Sequence, residues 1–327
     1  MNTKKALIIG VSGQDGSYLS NFLLEKGYQV YGTTRNPEST FTGLETLAIK
    51  KYVEILKLLP NEMDNVESII NTVKPDEIYN LSGQGSVGLS FEQPLETFIS
   101  MTLGNLNILE CIRKSSFKTK FFNASSGEIF GNNNQSIVNE NTNINPKNPY
   151  AVAKASSHLM VSSYRESYDM FACNGILFNH ESPLRTETFV ARKITASVAR
   201  IKLGLQDKLS LGRLDIIRDW GFAGDYVEAM WVMLQQDKPQ DFIISTSIPH
   251  SVKEFVQKAF NYADINLKWI GTALDEKAID SDTGKIIVEI EPKFLRKLES
   301  NFNVGDNSKI IKDLAWFPKK SLNDIIK

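Results

Sequence analysis

Residues 5–16 read KALIIGVSGQDG, and no other stretch restricts the fold as much. An apolar run of strand length, KALII, leads into three glycines, Gly10, Gly13 and Gly16, and then into the helix-period segment SYLSNFLLEKG. The spacing Gly-x-x-Gly-x-x-Gly permits a tight turn between strand and helix. It also lets backbone N–H groups approach a pyrophosphate at the positive end of the helix. A chain that opens this way is set up for strand–helix–strand units, and the loop's position predicts a dinucleotide site.

The rhythm persists. YQVYGTT, VEILKL, DEIYNLS, TKFFNASS and CNGILFN are near-continuous apolar runs, and NVESIINTVK, LGNLNILECIRKS and YAVAKASSHLMVSSYRESYDM between them have helical period. Such strands predict a parallel sheet covered on both faces, a doubly wound α/β (Rossmann) domain. After Asn179 the pattern changes. We expect DYVEAMWVML and DFIIS to return to the first sheet while the other segments build a second, smaller α/β substrate-binding cap. Residues 1–178 and 221–248 then form the Rossmann domain and residues 179–220 and 249–327 the nucleotide-sugar-binding domain. The Asn-rich GNNNQSIVNENTNINPKNP reads as a long loop, with Pro146 and Pro149 opposing any helix before Tyr150.

Charge excludes some partners. With 37 Lys+Arg against 38 Asp+Glu, no global field recruits nucleic acid or an acidic membrane, so a small molecule is the expected ligand. No apolar segment is long enough to span a bilayer, and the first is interrupted too early for a signal sequence, which predicts a soluble, cytoplasmic protein. Cys111 and Cys173 sit in apolar surroundings and read as buried free thiols; no metal site is expected.

Two further features carry chemistry. Arg35 ends the second strand, where an NAD enzyme usually places a carboxylate for the ribose hydroxyls; a guanidinium suits a 2′-phosphate and favours NADP, with NAD as the alternative. Tyr150 and Lys154, four apart on a helix, share one face. A nearby ammonium favours the phenolate, which predicts a lowered tyrosine pKa and a usable acid/base near neutrality.

The glycine loop, a Ser at the end of strand five and Tyr-x-x-x-Lys together resemble the extended short-chain dehydrogenase/reductase family. That resemblance implies Ser126, Tyr150 and Lys154 as the catalytic set. Glu128, two residues past Ser126 in ASSGEIFG, narrows the reaction. Plain hydride transfer needs no such carboxylate, whereas a dehydratase uses one to remove the C5 proton of an oxidised sugar and to protonate the departing C6 hydroxyl.

GQDGSYL, ASSGEIFG, PYAVAK, NGILFNHESPLRTETFVARKI, RDWGFAGDYVEAMW and NVGDNSKIIKDLAW resemble, in order and over nearly the whole chain, the GDP-mannose 4,6-dehydratase family. The resemblance implies a homodimeric or homotetrameric lyase acting on a GDP-sugar. Gln14, Asp15, Leu81, Ser82, Gln84, His180 and Arg185 would join the glycines, Arg35, Tyr150 and Lys154 on the cofactor side. Asn179, Lys193, Arg218, Arg296 and Glu299 would hold the nucleotide sugar.

The chain departs from the family pattern at Asn36, at Leu58-Leu59-Pro60, at Gly85 and Ser86, and at Leu184 and Thr188. Smaller side chains beside the hexose would allow GDP-mannose or a bulkier relative such as GDP-manno-heptose. The competing readings are a GDP-sugar C4 oxidoreductase or epimerase that omits elimination, and a module that senses NADP without turnover.

Overall fold

The computed structural model describes residues 3–132, 136–295 and 300–327. Strands β1 (Lys5–Ile9), β2 (Gln29–Thr34), β3 (Val53–Lys57), β4 (Glu77–Asn80), β5 (Lys120–Ser126), β6 (Ala172–Leu177) and β10 (Phe242–Ile244) form one sheet in the order β10-β6-β5-β4-β1-β2-β3. Every pair is parallel. Between the strands run α1 (Gln14–Glu25), α2 (Thr42–Thr46), α3 (Met63–Val73), α4 (Val87–Glu92), α5 (Pro94–Phe98), α6 (Gly104–Lys114) and α7 (Pro149–Tyr168). The doubly wound sheet expected from the alternating pattern is therefore present.

The apolar runs lack alternation because both sheet faces are covered. Along β1, Ala6 and Ile8 join one core with Leu19 and Leu23 of α1, while Leu7 and Ile9 join another with Val66 of α3 and Ile108 of α6. Phe121 and Phe122 split in the same way. Both are fully buried, and truncating either to alanine costs about 3–5 kcal/mol.

The remaining strands are β7 (Asn179–Glu181), β8 (Leu209–Leu211), β9 (Ile217–Phe222), β11 (Pro249–Ser251), β12 (Leu267–Ile270), β13 (Lys277–Asp280), β14 (Ile286–Ile290) and β15 (Phe302–Asn303). They form two small sheets, β11-β9-β15 with β7 on β9, and β12-β13-β14-β8. Helices α8 (Val190–Lys202), α10 (Val252–Tyr262) and α12 (Leu322–Ile326) pack with them around Trp220, Phe255 and Val288. Helix α9 (Ala223–Leu234) and β10 rejoin the first lobe.

The chain crosses between the lobes twice more than the sequence suggested, out to the first lobe and back again to α12. Ile310 of α11 (Ser308–Leu314) and Trp316 pack in the first lobe's core, with Trp316 Nε1 donating to the Asp225 carbonyl at 3.0 Å. Short helical signals near the end of a chain cannot say which lobe they dock on. Among the described residues no helix is long and apolar enough to cross a membrane, and Cys111 and Cys173 are free and buried.

Backbone approaches closely at the first turn. A Cβ on Gly16 would stand 2.5 Å from the Gly10 carbonyl oxygen and 2.6 Å from Val11 Cα, neither of which can yield. Gly27, at φ +81°, has open space around it and would meet only backbone strain. Gly16→Ala should therefore lower the urea midpoint far more than Gly27→Ala, whose cost is about 1 kcal/mol; equal midpoints for the two variants would contradict the packing described.

Candidate active site

A parallel sheet gathers its strand ends on one edge, and ligands bind where the strand order reverses, here between β1 and β4. Gly10 follows β1 at φ +95° and lies so close to Leu81 and Ser82, which follow β4, that a Cβ would approach the Leu81 carbonyl carbon to 3.1 Å. Gly13 begins α1 without any side-chain cap, leaving first-turn N–H groups for a ligand. Gln14 is buried, its amide donating to the His180 carbonyl at 3.1 Å and its oxygen accepting from Ser182 Oγ at 2.7 Å. Ser82 Oγ donates to Asn80 Oδ1 at 2.7 Å, and Gln84 bonds Ser86 and Thr97. Arg35 stands apart on the surface, paired with Glu96 at 3.3 Å.

Ser126 ends β5 and is buried; its Oγ accepts from the Glu128 amide at 3.2 Å. Helix α7 starts at Pro149 because Asn148 caps it, accepting from the Ala151 amide at 2.8 Å. At the second residue of the helix, the Tyr150 phenol lies close enough to Ser126 and Glu128 for both to act on its proton. Lys154 lies on the same helix face, with Nζ 6.0 Å from the Tyr150 ring centre and donating to the Ala124 carbonyl at 2.7 Å. Glu128 accepts one amide hydrogen bond on each carboxylate oxygen, from Asn148 and from Asn303.

Burial governs the protons here. It pushes the Tyr150 phenol up to about 12, helped by the negative charges of Glu128 and Asp15 and opposed by Ser126 and Arg185. The expectation of a lowered tyrosine pKa is thus corrected: loss of water dominates, and the opposing pulls come from Ser126 and Arg185. Burial also lowers Lys154 to about 8, against a partial upward pull from Asp15.

Asp15, in the first turn of α1, reaches across the lobes to His180 Nε2 at 2.9 Å, while His180 Nδ1 donates to the Phe178 carbonyl at 2.7 Å. His180 stacks on Tyr226 with ring centres 4.7 Å apart. Although burial opposes both charges, the pairing holds Asp15 down at about 2 and raises His180 above its ordinary value. Arg185 pairs with buried Glu181 at 3.4 Å, leaving its Nε and the Glu181 Oε2 without a hydrogen bond, and lies over the Phe189 ring. A bare helix terminus, a lysine held at a strand end and a partly buried arginine whose Nε lacks a hydrogen bond fit a nicotinamide dinucleotide.

On the second lobe, Asn179 opens β7 opposite Trp220 of β9. Arg218 of β9 is buried and donates to the Ser300 carbonyl at 2.8 Å. Lys193 of α8 donates to the Ser210 carbonyl at 2.6 Å over the Phe294 ring. Arg296 and Glu299 lie outside the described residues. Sequence reasoning missed Asn148, Asn303 and Glu181. The Asn-Pro at 148–149 was a readable helix-cap signal, whereas nothing local marks Asn303 or Glu181.

The family described as GDP-mannose 4,6 dehydratase matches residues 7–327. A GDP-mannose 4,6 dehydratase of Dictyostelium discoideum is 44% identical, the match covering 99% of this chain and 94% of the relative. Among solved structures, UDP-glucose 4-epimerase of Thermus thermophilus in complex with NAD superposes with TM-score 0.82 at 22% identity, covering 98% and 96% of the two chains. The dTDP-glucose 4,6-dehydratase of Bacillus anthracis in complex with NAD gives 0.81 at 17%, covering 99% and 94%. At these identities the two structures bear on fold alone.

The Asp15–His180 contact makes stability depend on pH. His180 holds its proton more tightly folded than unfolded, so its contribution is complete below the ordinary value of 6.5 and is lost as pH rises through the raised folded value. Melting temperature should fall from pH 6.5 to 8.5 in the wild type and fall less in Asp15→Asn; parallel pH profiles for the two proteins would rule the pairing out.

Proposed function

The chain belongs to the GDP-mannose 4,6-dehydratase family, and from that premise we propose that Ser126, Glu128, Tyr150 and Lys154 carry out the dehydration of GDP-mannose to its 4-keto-6-deoxy product. The observation that carries this reading is the meeting of a carboxylate, a phenol and a hydroxyl at the end of β5, where Glu128 and Ser126 both act on Tyr150.

Ser126 holds the C4 oxygen and Tyr150 takes its proton. The resulting C4 carbonyl acidifies the C5–H bond, and Glu128 removes that proton. The same proton leaves with the C6 hydroxyl as water, so the C5–H and C6–O bonds break as the C5=C6 bond forms. Tyr150 then returns its proton at C5. A bound nicotinamide dinucleotide supplies the hydride acceptor at C4, the donor that later reduces C6, and, when oxidised, a positive charge that favours the phenolate. Lys154, fixed on the Ala124 carbonyl, is placed to hold a ribose hydroxyl.

NADP is the preferred dinucleotide in this reading, because Arg35 is exposed and its partner Glu96 is itself half exposed, so the guanidinium can turn to a 2′-phosphate. Asn179, His180, Arg185, Lys193 and Arg218 are assigned to cofactor and nucleotide sugar as the resemblance implies. GDP-manno-heptose is a second candidate substrate: a Cβ on Gly85 would meet nothing nearer than the Phe189 ring at 3.9 Å, which leaves room for another carbon.

A second copy of the chain is the proposed partner. Phe91, Leu95, Phe98 and Leu103, together with Val152 and Leu159 of α7, are large and exposed, and Leu95 is 72% exposed. Helices α4 and α5 pack against α7, so these side chains share one side of the molecule, and apolar surface of this kind marks self-association. Leu95→Asp should shift the sedimentation coefficient to that of a monomer.

Glu128→Gln tests the chemistry. Given GDP-mannose or GDP-manno-heptose, the wild type should lose one water by mass spectrometry. The variant should still reduce its dinucleotide in the first turnover while releasing no dehydrated sugar, a loss of about 10²–10⁴-fold in turnover. Wild-type dehydration by Glu128→Gln would remove Glu128 from the mechanism.

A further inference from the structure

Glu128 is gripped from both lobes. Asn148 Nδ2 donates to Oε2 and Asn303 Nδ2 to Oε1, each at 3.2 Å. Both asparagines are 6% exposed. The orientation of the first amide is dictated by chemistry: Asn148 Oδ1 is already used by the Ala151 amide at the start of α7, so only its nitrogen can face the carboxylate. The second follows because an ionised carboxylate can only accept, so Asn303 must also present its nitrogen.

The two donors come from different places. Asn148 precedes Tyr150 by two residues on the sheet lobe. Asn303 lies on β15, beside Arg218 of β9, where Phe302–Asn303 pairs with Ile217–Arg218. The segment after it is held firmly, since Ser245 Oγ and Ser247 Oγ donate to the Gly305 carbonyl at 2.9 and 2.8 Å and Asn307 donates to the Ser245 carbonyl at 2.9 Å. The strand that carries Asn303 is therefore continuous with the proposed sugar-binding strand on one side and anchored to the sheet lobe on the other.

We propose that Asn148 and Asn303 are positioning residues for elimination: a two-sided amide clamp that aims the Glu128 carboxylate at C5 and C6 and ties its orientation to the strand that receives the nucleotide sugar. The inference rests on the dehydratase reading of Glu128. Two neutral donors, one per oxygen, fix the plane of the carboxylate without a counter-ion, and leave the remaining lone pairs toward the substrate. The hydride step needs only Ser126, Tyr150 and Lys154, so loosening the clamp should spare C4 oxidation and slow loss of water.

Asn303→Leu removes the donor, and Asn303→Asp keeps its shape but turns it into an acceptor facing Glu128. Asn148→Ser preserves the helix cap and withdraws the amide. The experiment compares single-turnover reduction of the bound dinucleotide, steady-state release of dehydrated sugar and deuterium uptake at C5 from heavy water, with melting temperatures to verify folding. We expect reduction within about twofold of wild type and dehydration slowed about 10- to 100-fold, the scale of a small misplacement of a reacting group. Asn303→Asp should be impaired at least as severely as Asn303→Leu, an order that a purely structural role would reverse because Asp is isosteric with Asn. Wild-type dehydration in Asn303→Leu and Asn148→Ser, an Asn303→Asp variant milder than Asn303→Leu, or equal losses in reduction and dehydration would each overturn the clamp. A wild-type enzyme that releases no water from a GDP-sugar would fail first and separately, taking down the dehydratase reading beneath it.

Discussion

A parallel sheet buried on both faces can expose its chemistry only where its strands stop, and that constraint organises this molecule. Beyond Lys5 and Lys120 at their starts, the residues of β1, β4 and β5 are buried, so backbone and side chains become available to a ligand at the carboxyl edge. Gly10, Leu81–Ser82 and Ser126 stand at that edge on three neighbouring strands. The same crowding acts at the glycines: at Gly16 neighbouring backbone leaves no volume for a Cβ, and at Gly10 it leaves a tight 3.1 Å in addition to the strain of φ +95°.

Placing reacting groups at a covered edge has an electrostatic consequence. Removed from water, the phenol of Tyr150 is held in its neutral form, whereas Lys154, lowered to about 8, still keeps its proton at neutral pH. At the Asp15–His180 contact, 2.9 Å across, each partner favours the charged form of the other.

The lobes are interleaved in sequence and are also joined by buried polar contacts. Asp15 reaches His180, and Glu128 reaches Asn303. Asp219 of β9 accepts from the Thr246 and Ser247 amides after β10, both at 2.8 Å, with its carboxyl pushed up to about 6 by burial. Each contact costs desolvation and is retained only because every partner is matched. Such joints fix distance between the lobes to hydrogen-bond precision, which apolar contact would not, and acid–base chemistry on a bound sugar demands that precision.

Strands β1 to β6, the glycine turn and the shared face of Tyr150 and Lys154 could all be read from the chain, because each depends on neighbours within a few residues and on the periods of 2 and 3.6 that burial imposes. Ser126 and Glu128 were legible for the same reason, standing two apart at a strand end. What the residues alone could not decide were contacts between distant segments: Asn303 lies 175 positions from Glu128, and His180 lies 165 from Asp15. The direction of the Tyr150 shift was also a tertiary matter, since an adjacent lysine argues one way and the surrounding exclusion of water, which has no local signature, argues the other. Periodicity specifies which face of an element is buried; only the closed fold decides what that face meets, and so how its charges are held.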